Sequence, residues 1–249
     1  MKNLLRAEFL KTRRRYLFLT ALLIIGAQLV FAFYNSNYSA EDLQNGWLIF
    51  LYQFPLLNTI FLPLLTTFVA SRLADLEHKQ QMLRHLLTLT SRNRLYNSKL
   101  LYGFGIVFFC LLLQLAAIYT AGTLLGFTSP FPWRLFAVYG LFTAVATAVL
   151  YLLQNGLSLL FKNQVIPFVV GVLGEFLGIF AMFLPFWVAK CIPWGYYGAL
   201  QMVLMDWDRA TRISTYYLQN PDWLFFGVEA LVAISFYFLF KKCFLIKEV

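Results

Sequence analysis

Glu175 and Glu229 are the residues best placed to do chemistry in this sequence. Each sits inside a long apolar run, 165–189 and 223–240, where inserting a carboxylate costs on the order of 3 kcal/mol. An acid kept at such a depth faces the interior of a helix bundle. Glu175 is either a translocation residue or a hydrogen-bonded packing residue beside Gly171, Gly174 and Gly178. Glu229, nearer a helix end, either serves the interior, meets water, or pairs with Arg209 or Arg212. Other chemistry finds little support. His78 and His85 stand seven apart in a polar loop and read as solvated, and Asp206-Trp207-Asp208 matches a DxD metal motif by letters alone. Cys110, Cys191 and Cys243 form no CxxC or Cys/His spacing, so metal and disulfide roles are not expected. There is no GxxxxGK[ST], no GxGxxG between strand and helix, no HExxH and no GxSxG. Any ATP used by this protein is therefore expected on another chain.

The elements that must position these acids are membrane helices. Of 249 residues, 61% are hydrophobic and 12% charged, and the mean hydropathy is +0.70. Soluble domains carry about 25% charge. The length suits about six spans of ~20 residues with short connections, here 16–34, 47–71, one within 100–133, 134–161, 165–189 and 223–240. Pro55 and Pro63 predict kinks in the second span. Gly140, Ala144 and Ala148 offer the fourth a close helix contact. Residues 1–15 are basic, with Leu4, Leu5, Ala7 and Phe9 on an apolar stripe, and predict an interfacial helix. The segment WGYYGALQMVLM after Pro193 is too short to span, so 190–222 is expected to form an outer re-entrant helical hairpin. The fold class expected is an all-α integral membrane protein: one transmembrane domain over 1–249, with six spans and both termini inside.

Charge fixes the orientation. With both termini inside, sixteen of the twenty Lys and Arg residues lie inside, and Arg134, Lys190, Arg209 and Arg212 lie outside. All six tryptophans fall at or beyond the outer interface. The net charge of +9 sits beside apolar spans, so it points to anionic headgroups and not to nucleic acid.

The longest polar interval, 72–99, carries Arg72, Lys79, Arg84, Arg92, Arg94 and Lys99 against Asp75 and Glu77. Leu76, Leu83, Leu86 and Leu87 recur at helical spacing, so this is an amphipathic helix between two spans, with Asp75 as a possible cap. Ser91 offers a second N-cap for a helix running through Lys99 into the third span. An amphipathic helix held on the basic side is suited to touching a partner.

These features together resemble the permease subunits of ABC-2 type ABC transporters, and more narrowly the small permeases of lantibiotic or bacitracin-type immunity and export. The sharpest part is Glu77, then Leu86-Leu87-Thr88-Leu89, then Thr90-Ser91-Arg92, then Tyr96-Asn97-Ser98-Lys99. Thr90 stands where such permeases often have proline, and Gln80-Gln81-Met82 follow the acid in place of small residues. The resemblance implies that 72–99 holds a coupling helix. Glu77, Leu83, Arg84, Leu86, Leu87, Arg92 and Lys99 would then engage an ABC ATPase, present in two copies and binding ATP and Mg²⁺. It implies no cofactor or catalysis in this chain, a second permease, identical or paralogous, and a bacterial plasma membrane. Trp194, Tyr196, Tyr197 and Trp207 would meet a peptide, antibiotic or lipid-like substrate at the outer gate, and Glu175 and Glu229 would line the route. The alternative is a proton-coupled carrier or channel using these two acids. An intramembrane enzyme is the weakest reading, since the spans hold no histidine.

Overall fold

The computed structural model describes residues 2–13, 15–34, 38–78, 88–209 and 214–246. In chain order its helices are α1 (Lys2–Arg13), α2 (Leu17–Phe33), α3 (Ala40–His78), α4 (Arg92–Leu124), α5 (Trp133–Leu160), α6 (Val165–Ala181), α7 (Phe186–Ala189), α8 (Tyr196–Ala199) and α9 (Trp223–Ile246). A 3₁₀ turn at Pro193–Gly195 leads into α8, and strands β1 (Val203–Trp207) and β2 (Ser214–Leu218) precede α9.

All six apolar runs fold as helices, but they differ in reach. Among the described residues, four helices are long and apolar enough to cross a membrane: Ala40–Asp75 within α3, then α4, α5 and α9. The pair α1–α2, bent by 72°, would make a fifth. Helices α2 and α6 have 17 residues each, about 26 Å of rise, against a hydrocarbon core of about 30 Å. By contrast α3 has 39 residues and passes through Pro55 and Pro63 as one helix. It also carries on beyond Ser71, where the span was expected to stop, to His78, so Asp75 lies inside α3 and does not begin a new helix.

Helices α3 and α5 form the centre. Helix α3 packs on α2, α4, α5 and α6, and α5 also packs closely on α9. The small row Gly140, Ala144, Ala148 is only half-buried. The tight approach on α5 is instead at Gly156, where an added Cβ would lie 2.1 Å from the Phe240 ring of α9.

The outer insertion departs from the expected helical hairpin. Among the described residues of 190–222, only the single turns at 193–199 are helical, and β1 and β2 pair antiparallel, Val203 with Leu218, Met205 with Tyr216 and Trp207 with Ser214. The sequences VLMDW and STYYL explain the change. They are rich in aromatic and β-branched residues, which favour a pleated surface.

Candidate functional site

The inner end is built on α4. Ser91 is its N-cap residue in an extended conformation, and the first turns bury Leu95, Tyr96, Ser98 and Lys99. Lys99 is wholly buried, with Nζ 3.3 Å from both carboxylate oxygens of Glu8 on α1. Lys11 stands 3.5 Å from the same carboxylate. One turn further along each helix, the hydroxyls of Thr12 and Tyr102 share a hydrogen bond. On the other side of α4, Arg92 donates to the Leu245 carbonyl at 2.7 Å. The Tyr237 hydroxyl donates to Asn97 Oδ1 at 3.2 Å and accepts from Lys241 at 2.9 Å. The N-terminal end of α4 is thus fastened to α1 and α9 at once, with Lys99 buried against Glu8 of α1. Glu8 was missed by sequence reasoning. Its signal was available, as the only acid among residues 1–15.

Of the other expected coupling residues, Leu83, Arg84, Leu86 and Leu87 lie outside the described residues, as does His85. Glu77 lies on the last turn of α3. The α3 stem of the loop packs against the bundle. Leu73 and Ala74 are buried, and the Arg72 guanidinium lies over the Phe68 ring at 5.4 Å.

A polar junction halfway through the bundle was also missed. Asn58 of α3 accepts hydrogen bonds from Gln28 of α2 (2.8 Å) and Gln114 of α4 (2.5 Å), and donates to the Tyr139 hydroxyl of α5 (2.9 Å). All four side chains are buried. In an apolar medium such amides must find one another, and the one Asn here joins four helices.

Both expected intramembrane acids are buried. One oxygen of Glu175 and both oxygens of Glu229 have no hydrogen-bond partner among the described residues. Glu229 does not pair with Arg209, which is exposed, and Arg212 lies outside the described residues. The glycines beside Glu175 serve close approach. A Cβ on Gly174 would fall 2.0 Å from the Trp194 indole, one on Gly178 2.7 Å from the Trp194 carbonyl, and one on Gly171 2.2 Å from Thr67 Oγ1. The 193–195 turn therefore reaches into the bundle and lies against α6.

The expected outer contact residues divide. Tyr196 and Tyr197 are buried: the Tyr196 ring meets Phe225 at 5.3 Å, and the Tyr197 and Thr147 hydroxyls are 3.0 Å apart. They hold the turn in place and offer little surface to a ligand, because the turn is drawn inward over the α6 glycines. Trp194 is half-buried, while Trp207 on β1 is 52% exposed. The outer surface that is open is a groove of about 650 Å³ between α3, the end of α6, and the hairpin, lined among others by Tyr52, Ile60, Phe183, Gln201, Met205 and Tyr217. Lys190 and Asp222 pair nearby at 2.5 Å, with the Lys190 ammonium over the Phe186 and Phe225 rings at 4.1 and 4.8 Å. Asp222 also caps α9 by accepting from the Phe225 N–H at 2.9 Å. The Lys190 hydrogen bond first, and the Phe225 N–H next, hold the Asp222 carboxyl below its ordinary pKa.

Residues 4–179 match a family model described as ABC-2 family transporter protein. No curated protein and no solved structure matches the chain.

Proposed function

The chain belongs to the ABC-2 family of transporters, a multi-pass membrane permease working with ABC ATPase subunits, and on that premise we propose that it moves an amphipathic peptide, antibiotic or lipid-like molecule from the membrane or the cell. The observation that supports this substrate class is the outer groove. It is wide, mostly apolar and aromatic, open between α3 and the β-hairpin, and carries few polar groups such as Gln201. That lining suits a molecule with an apolar body better than a small ion. Immunity to a bacteriocin, lantibiotic or peptide antibiotic, in a bacterial plasma membrane, is the role we assign to such transport.

In this reading two ATPase subunits drive the chain together with a second permease. The 72–99 segment engages the ATPase cleft, with Glu77, Leu83, Arg84, Leu86 and Leu87 as contacts. Movement enters α3 and α4 through their stems. Because α4 is tied to α1 by Lys99–Glu8 and to α9 by Arg92, a push on the loop displaces three helices together. Lys99 and Arg92 then act as transmitters of the movement. Helices α2 and α6 complete six spans, the bundle thinning at their 17-residue lengths. Glu175 and Glu229 line the route in this reading, and their buried, unpartnered oxygens are the sites for a passing cationic group or proton. A carrier driven by protons alone is disfavoured by the family, whose permeases depend on ATPase subunits.

The test is reconstitution of the chain with its ATPase in lipid discs, with ATP hydrolysis followed as amphipathic peptides are added. Stimulation is expected, and Met205→Glu in the groove should abolish it. No stimulation by any peptide, or full stimulation in Met205→Glu, overturns the substrate reading. Flux driven by a pH gradient without the ATPase would replace it with the carrier.

A further inference from the structure

A second groove, also about 650 Å³, lies where α1 and α2 meet α4 at the inner end of the bundle. Its walls include Phe9 of α1, Leu17 and Phe18 of α2, and Leu101 and Ile106 of α4. Two local features create it. Tyr16 adopts a left-handed backbone (φ 54°, ψ 20°), uncommon for a bulky residue, at the corner where the chain bends by 72°. Helix α1 consequently lies across the start of α4 and does not continue the axis of α2. Gly105 of α4 then leaves the floor open: it lines the groove, and no atom lies within 4 Å of where its Cβ would be. A methyl at 105 would meet no neighbouring side chain, and a longer one would enter the groove, so what the glycine preserves is the groove.

Charge marks the mouth. Arg13 lines the groove and is exposed, and Arg15 beyond it is exposed as well. Glu8, the only acid of residues 1–15, is turned toward Lys99 and Lys11, so it does not neutralise the rim. We propose that this groove binds an anionic phospholipid of the inner leaflet, one acyl chain lying over Gly105 between Phe9 and Phe18 and the headgroup phosphate meeting Arg13. The apolar walls select an acyl chain, and the basic rim selects an anionic head over a zwitterionic one by about fivefold per engaged base. The α1 wall of the groove carries Glu8 on the same helix, so a bound lipid steadies α1 against α4 and supports the Lys99 contact. The site depends on the inner orientation of α1 and not on what the outer groove transports.

The experiment is native mass spectrometry of the purified full-length chain, counting lipids retained when dioleoyl-phosphatidylglycerol or dioleoyl-phosphatidylcholine is added. Preferential retention of one phosphatidylglycerol is expected. Gly105→Phe should abolish it, Arg13→Gln should weaken it about fivefold, and Gly26→Phe, at another glycine with open space around its Cβ but outside the groove, should leave it unchanged. Equal retention of phosphatidylcholine overturns the proposal, as does undiminished binding in Gly105→Phe or Arg13→Gln. A second copy of the chain, released by Gly105→Phe and indifferent to phosphatidylglycerol, overturns it in favour of an interface. Should Gly105→Phe fail to fold, the exposed Arg13→Gln variant decides by itself.

Discussion

The inner and outer ends of this bundle are held by different forces. At the inner end, α1, α4 and α9 are joined by charged and polar side chains: Glu8 with Lys99, Thr12 with Tyr102, Arg92 with the Leu245 carbonyl, Tyr237 with Asn97. At the outer end, the 193–199 turn is held mainly by fit, with Trp194 on Gly174 and Gly178 and Tyr196 on Phe225, beside a single buried hydrogen bond between the Tyr197 and Thr147 hydroxyls, and the nearby Lys190–Asp222 ion pair is partly exposed. A directional, buried contact fixes the relative placement of two helices. An aromatic turn seated on glycines, with one buried hydrogen bond between Tyr197 and Thr147, carries fewer such constraints. The end that would receive force is therefore the stiff one, and the end that would meet substrate is the adaptable one.

The largest effect should come from breaking the inner clamp. Lys99→Met leaves the buried Glu8 with only the partly exposed Lys11 beside it, so the loss should approach, from below, the roughly 3–5 kcal/mol that removing one partner of a buried pair costs. We expect a large fall in the thermal unfolding temperature of the detergent-solubilised chain, with Glu8→Gln in the Lys99→Met background restoring much of it. A Lys99→Met protein as stable as the wild type would show that the inner end owes its stiffness to something else.

The outer end is tested by steric crowding. Gly174→Ala puts a methyl where the Trp194 indole lies, and overpacking of this kind costs about 1–3 kcal/mol. The turn should be displaced, lowering peptide-stimulated ATP hydrolysis while the ATPase still co-purifies, and Trp194→Leu in the same chain should recover part of the loss. If Gly174→Ala instead behaves as wild type in every assay, the turn is not seated in the bundle as described.

These two ends were not equally legible in the sequence. The apolar runs and the Ser91 N-cap position follow from composition and spacing, which are local properties, and all six apolar runs fold as helices. Glu8 and Lys99 are 91 residues apart, and nothing local links an acid on an interfacial helix to a lysine opening a later span. The Asn58 junction has the same character: Gln28, Gln114 and Tyr139 converge on it only after four helices pack. The glycines around Glu175 were visible, yet their partner was not, because Trp194 reaches them from a segment read as helical hairpin. There the local signal was present and misread: an apolar stretch too short to span was taken as helix, although VLMDW and STYYL carry strand-forming residues.

The smallest expected effect concerns the Lys190–Asp222 pair and separates the two ends by pH. Asp222 has its carboxyl pKa lowered by the Lys190 hydrogen bond, so the folded chain favours the ionised form. The stabilisation is complete above the ordinary value of 3.8 and is lost as pH falls below it, through the lower folded value. With both side chains partly exposed, solvent screens the pair and the change should be modest. All six tryptophans belong to the outer side of the sequence-derived topology, so intrinsic fluorescence reports on this end. Acidification from pH 6 to pH 3 should shift the emission of the wild type slightly, while Asp222→Asn should show no such step. A step of equal size in Asp222→Asn would assign the acid response to another group and leave aromatic packing alone as what closes the outer end.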